Sequence, residues 1–254
     1  MSHGVWLETL SWVEAKSRFD AGAVVLMPIG AIAKEHGPHL PLNTDWLIAR
    51  ALAQRVAEAL PIVVAPVVSA GYYPAFTDYA GSQHLSAATF IAVIEQLIGN
   101  LIGQGARRIA LLNTGVSTEA PLRIACRNIL DQHGISIPCA DIRNLGRGSE
   151  KLLQQQAGGH ADEAETSIML ALDPARVDLR HAVSDYGDAL TRSAGIRPNA
   201  FQRPGTMEGS RSGAFGDPTL ATAAKGKAIL DAMVNELVAG LRASYPEALA
   251  AGRN

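Results

Sequence analysis

The sequence predicts an α/β protein with a mostly parallel central sheet covered by helices on both faces. Short β-branched apolar runs alternate with stretches of helical period along most of the 254 residues. Hydrophobic residues make up 48% and charged residues 18%, a balance that fits a large buried core and argues against disorder. No internal repeat or linker divides the chain, so a single domain over 1–254 is expected.

Each element has its own signal. Residues 24–29, Val-Val-Leu-Met-Pro-Ile, are short, apolar and followed by Gly30, which reads as a buried strand. Residues 45–60 place Leu47, Ile48, Ala51, Leu52 and Val56 at helical spacing, with Thr44 or Asp45 as N-cap. A second strand is expected over 62–68 and a helix over 86–102, with Phe90, Val93, Ile94, Leu97 and Leu101 on its apolar face. The run 108–113 reads as a third strand entering the turn 114–118. A helix over 121–132, a strand over 135–142 and a helix over 163–172 follow. Asp217-Pro218 opens a last helix to about residue 241. Segments 143–159 and 187–215 are rich in Gly, Ser and Arg and read as long loops, the second a lid, rim or subunit contact.

Composition also excludes functions. Lys plus Arg number 22 and Asp plus Glu 24, so no basic field draws nucleic acid or an anionic membrane. The N-terminus lacks a charged region followed by an apolar one, and no apolar run approaches the ~20 residues that span a bilayer. Cys126 and Cys139 lack metal or redox spacing and read as reduced core residues, so a cytoplasmic location is expected.

In parallel sheets ligands gather beyond the C-terminal ends of the strands, here the loops after Ile29 and Leu112. The first of these carries Glu35, His36, His39 and Asp45 within a Gly- and Pro-rich stretch. Imidazole and carboxylate together suit Zn²⁺, Mn²⁺ or Fe²⁺, because a borderline cation accepts nitrogen and charged oxygen alike. A rigid turn with solvated charges is the competing reading. Residues 158–167, Gly-Gly-His-Ala-Asp-Glu-Ala-Glu-Thr-Ser, form a second constellation, in which Asp162 and Glu163 also suit a helix first turn. His84 stands near Tyr72, Tyr73, Phe76 and Tyr79 and either lines a pocket or caps a helix. Ser117 departs from the nucleophile-elbow pattern at Glu119, while Thr114 to Thr118 offers a possible anion cradle.

Taken together, these segments resemble the creatininase (creatinine amidohydrolase) family. The carriers are 28–31 leading into His36-Gly-Pro-His39-Leu-Pro-Leu-Asn-Thr-Asp45, then 105–113, 160–170 and 216–222. The likeness runs from about residue 24 to 237 and implies a three-layer α/β/α sandwich, metal-dependent hydrolysis of a C–N bond in a small linear or cyclic amide, and a homo-oligomer, usually a hexamer. It implies His36 and Asp45 as metal ligands, with Asp45 the bridge between two ions, His160 as the catalytic histidine and Glu165 as the acid that follows it. His39, Tyr79, His84 and Ser117 are the candidates for substrate contact.

Two departures stand against the resemblance. The family has Glu, one spacer and His before Gly-Pro-His; here Lys34 falls at the ligand position, and Glu35 replaces it only if the loop bulges. After the third strand the family supplies another histidine ligand where this chain has Gly115, leaving Glu119 as the nearby substitute. A one-metal centre, a centre rebuilt with Glu35 and Glu119, and a non-catalytic ligand-binding or regulatory member all stay open.

Overall fold

The computed structural model describes residues 3–187 and 210–250. Five strands form one parallel sheet in the order β1-β3-β2-β4-β5. They are β1 (Val5–Trp6), β2 (Val24–Ile29), β3 (Val63–Val64), β4 (Arg108–Asn113) and β5 (Cys139–Asp141). The helices are α1 (Trp12–Asp20), α2 (Thr44–Ala59), α3 (Ala87–Gly103), α4 (Glu119–His133), α5 (Glu163–Leu172) and α6 (Ala223–Ser244).

The central strand β2 is buried along its whole length, and its side chains alternate between two cores. Val24 and Leu26 pack with Leu52 and Val56 of α2, Ile168 of α5 and Leu230 of α6. Val25, Met27 and Ile29 pack with Phe19 of α1, Phe90 and Ile94 of α3 and Leu122 of α4. Helices therefore cover both faces, giving the three-layer α/β/α arrangement that the alternating runs predicted.

The cap chemistry explains the helix starts. Ser11 and Glu14 form a reciprocal capping box on α1, Ser86 accepts from Thr89 N on α3, and Thr222 accepts from Lys225 N on α6. Gly134, at φ 67°, closes α4 with a left-handed residue.

Several boundaries differ from the sequence reading. β1 and α1 were unassigned, the first because two residues carry no periodicity. The strand expected over 62–68 shrinks to Val63–Val64, since Pro66 has no N–H to donate; pairing resumes at the isolated Ile29–Val68 bridge. The strand expected over 135–142 starts only after Pro138, at Cys139. Asp217 caps a short 3₁₀ turn, Pro218–Leu220, and the last helix begins at Ala223. Cys139 is exposed and so is not a core residue, whereas half-buried Cys126 packs against the second core. Most of the long loop expected over 187–215, with Arg192, Arg197 and Arg203, lies outside the described residues. Among the described residues no helix is long and apolar enough to cross a membrane.

α5 and α6 are in tight contact at Gly226, where a Cβ would overlap the carbonyl of Ser167. Gly226→Ala is expected to lower stability by about 1–3 kcal/mol through overpacking. Urea denaturation followed by circular dichroism reads the shift in midpoint.

Candidate active site

The loop leaving β2, the start of α2 and the turn after β4 meet at the C-terminal edge of the sheet. Gly30 lies so close to α2 that a Cβ would strike the carbonyl of Asp45. The Thr114 hydroxyl shares its one proton between the carbonyls of Ile29 (3.1 Å) and Asp45 (2.9 Å), tying all three segments together. These bonds fix Asp45 in the first turn of α2, where it is only 1% exposed.

Both carboxylate oxygens of Asp45 are engaged. The Lys34 ammonium donates to Oδ2 at 2.7 Å, and His36 Nε2 lies 3.0 Å from Oδ1. His36 Nδ1 is 2.9 Å from the Lys34 carbonyl and must donate to it, because a carbonyl only accepts. Nε2 therefore faces a carboxylate and carries a proton or a cation. Burial would raise the Asp45 carboxyl, but Lys34 and His36 hold it far below the usual range. Burial disfavours the charged His36 ring, yet the Asp45 carboxylate outweighs it and raises the imidazole above its ordinary value.

His160 supplies the second imidazole. Its backbone is held by a bridge to Phe215, whose N–H donates to the His160 carbonyl at 2.7 Å. The next residue, Ala161, is forced into the left-handed region at φ 46°, and its N–H donates to Glu165 Oε2 at 2.5 Å. His160 Nε2 lies 3.1 Å from Glu35 Oε2 and donates to it, while Nδ1 faces Glu165 Oε2 across 3.8 Å. Burial works against the Glu35 charge, but the bond to His160 lowers its carboxyl overall. The His36 and His160 rings sit 4.9 Å apart, Phe76 covers His160 at 4.5 Å, and the Lys34 ammonium lies 5.1 Å from the Phe76 ring centre.

The structure thus gathers His36, His160 and Glu165, whose ligand atoms all lie within 4.8 Å of one another. Two imidazoles with one carboxylate are a donor set suited to a single divalent cation, and the 3.8 Å gap matches two ligands on one ion with bonds of about 2.1 Å. The outer nitrogens of both rings are already satisfied, as ligating histidines require.

Glu35 and Glu119 do not join this group. Glu35 lies behind His160 as its hydrogen-bond partner, accepting also from Gly37 N. Glu119, the first residue of α4, turns to an ion pair with Arg143 and lies 4.0 Å from Arg123. Asp162 caps α5 by accepting from Ala164 N and Glu165 N, and buried Glu163 pairs with Lys225 of α6, so both serve structure. Ser117 lines a narrow cleft with Lys34, Asp45 and Gly115, of about 10 Å³, room for about one water. Among the described residues no histidine or carboxylate hydrogen-bonds Ser117. Tyr79 donates to the Ser210 carbonyl at 2.8 Å and packs beside Phe76, while half-buried His84 rests among Tyr72 and Tyr73. His39 is buried, with Nε2 2.8 Å from Thr166 Oγ1 and Nδ1 without a partner.

Two features escaped the sequence reading: the ion pair of Lys34 with Asp45 and the tilted packing of Phe76 on His160. The adjacency of Lys34 to the histidine loop was visible, but its direction was not. Glu165 also borders a larger cavity of about 410 Å³, lined by Arg143, Glu150, Gln155, Ile142 and Met233, a volume suited to a small molecule.

Fold and centre together define a three-layer α/β protein with a buried acid–histidine cluster at the C-terminal edge of its sheet. The family model for creatinine amidohydrolase matches residues 8–241, and the chain belongs to the creatininase family. It is 28% identical to a creatinine amidohydrolase of Pseudomonas putida, over 97% of this chain and 99% of that one. It is 31% identical to a mycofactocin precursor peptide peptidase of Mycobacterium tuberculosis strain H37Rv, over 84% and 82%. A solved Mn creatininase superposes with a TM-score of 0.82 at 24% identity, covering 96% and 99%. A mutant creatininase of Zn–Zn type superposes with a TM-score of 0.81 at 26% identity, covering 96% and 100%.

Burial holds the His39 imidazole down to about 4, so the folded protein keeps it neutral while the unfolded chain protonates near 6.5. Its contribution is full above pH 6.5 and is lost as pH falls towards 4. His39→Gln is expected to flatten this part of the stability profile by about 2 kcal/mol relative to wild type. Denaturation midpoints measured across that range check the difference.

Proposed function

We propose that this chain is a hydrolase that cleaves a C–N bond of a small linear or cyclic amide. The observation that carries this is the His36–His160–Glu165 group, buried on one side and reaching the 410 Å³ cavity through Glu165. His36, His160 and Glu165 would hold one divalent ion, Zn²⁺ or Mn²⁺ with Fe²⁺ as a further candidate. When bound, such an ion supplies Lewis-acid polarisation of an amide carbonyl.

The chain's own groups account for positioning and proton movement. Glu35 fixes the His160 ring through Nε2, so that Nδ1 is the atom turned towards Glu165. Glu165 accepts from Ala161 N through Oε2, which orients the carboxylate; its other oxygen would take a proton from water as the water oxygen bonds the amide carbon, and deliver that proton to the nitrogen as the C–N bond breaks. Phe76 shields the His160 face from solvent and keeps the local dielectric low. Support also comes from the relatives named above, one an amidohydrolase and one a peptidase, both acting on C–N bonds. The assignment of a homo-oligomer, a hexamer by resemblance, and of a cytoplasmic location belongs to this same reading.

A second reading, a non-catalytic ligand-binding member, is favoured by Gly115, which offers no side chain, and by the engagement of both Asp45 oxygens within the protein. Glu165→Gln separates the two. Against a panel of small amides and lactams, the wild type is expected to turn over at least one substrate, and the variant to lose about 10²–10⁴-fold. Ligand binding with no turnover in either protein, metal supplied, would establish the second reading.

A further inference from the structure

We propose that the Lys34 ammonium is a built-in cation at Asp45, occupying the place of a metal ion there, so that this centre accepts at most one divalent ion. The charge on Lys34 is placed where only an ion pair justifies it. The residue is 5% exposed, its Nζ lies 2.7 Å from Asp45 Oδ2, and the other oxygen faces His36 Nε2 at 3.0 Å. Asp45 thus has no free oxygen with which to bridge two ions, and a dication beside Oδ2 would meet the ammonium directly.

The surroundings agree. The cleft beyond Lys34 and Asp45 is lined by Ile29, Asn113, Gly115 and Ser117, which bring neither imidazole nor carboxylate. Asn113 spends its amide on Asp141 and the Gly115 carbonyl, and its oxygen accepts from Gly115 N and Thr118 Oγ1. Glu119, the nearest acid on α4, is paired with Arg143. The cavity of about 10 Å³ leaves room for about one water, and none for an ion with its hydration. The ammonium is itself packed, with the Phe76 ring 5.1 Å away. By contrast, His36, His160 and Glu165 bring ligand atoms within 4.8 Å of one another. The inference rests on the one-ion reading only for that second group; the role of Lys34 at Asp45 stands apart from it.

The test is metal stoichiometry, which needs no substrate. The full-length protein is stripped with chelator, dialysed against Zn²⁺ or Mn²⁺ in separate experiments, and its metal counted by mass spectrometry. Wild type is expected to bind at most one equivalent, and Lys34→Glu, which exchanges the ammonium for a carboxylate, one more than wild type. Lys34→Met leaves Asp45 without its cation; its Tm is expected to fall and to recover with added divalent ion more steeply than that of wild type. Two equivalents in the wild type, or no gain in metal by Lys34→Glu and no metal-dependent recovery in Lys34→Met, would overturn the proposal. Where Lys34→Glu does not fold, the wild-type count and the Lys34→Met response decide. No ion in wild type but one in Lys34→Glu would sink the one-ion centre while upholding the role of Lys34.

Discussion

A carboxylate at 1% exposure is the constraint around which this centre is arranged. An isolated buried charge costs several kcal/mol, so Asp45 exists only because two groups meet its oxygens. Lys34 and His36 come from the loop that leaves β2, which must fold back over the start of α2 to reach it. That return is why Gly30 has no side chain and why Thr114 bonds to the Asp45 backbone. The conformation of the loop then places Glu35 on the opposite side, against His160. Alternate residues of one loop thereby serve two different partners, Lys34 and His36 facing Asp45 and Glu35 facing His160.

The same geometry divides the centre into two halves of different character. On the Asp45 side charges are neutralised within the protein and the space is closed. On the Glu165 side His160 Nδ1 and a carboxylate face each other across 3.8 Å, beside a cavity of molecular size. Among the described residues, only the second of the two sides borders a cavity of molecular size; the first holds the frame. Strain at Ala161 is confined to the residue that turns His160 into this gap, a placement consistent with a functional constraint.

The sequence showed the architecture well because β2 and β4 are apolar on both faces and the helices keep their period. It failed where proline decides pairing, at Pro66 and Pro138, and where an element is too short for periodicity, as at Val5–Trp6. The histidine loop and the segment 158–167 were both legible as polar constellations, and the structure brings His36, His160 and Glu165 together. What remained hidden was direction. Glu35 and Glu119 have the right chemistry for ligands, but one is drawn to His160 and the other to Arg143, 24 positions further along the chain. Such pairings are set by tertiary contacts between distant segments, and no local pattern encodes them. Lys34 was visible as a departure from the family pattern, whereas its contact with Asp45 required the folded loop.

The account depends on Asp45 being neutralised from within. The most direct measurement is a crystal structure of the full-length protein grown with Zn²⁺, with anomalous difference maps recorded at the zinc edge. The expected result is a single peak bounded by His36, His160 and Glu165, with Lys34 Nζ still on Asp45 Oδ2. A zinc ion bridged by Asp45, with the Lys34 side chain turned away, would contradict it.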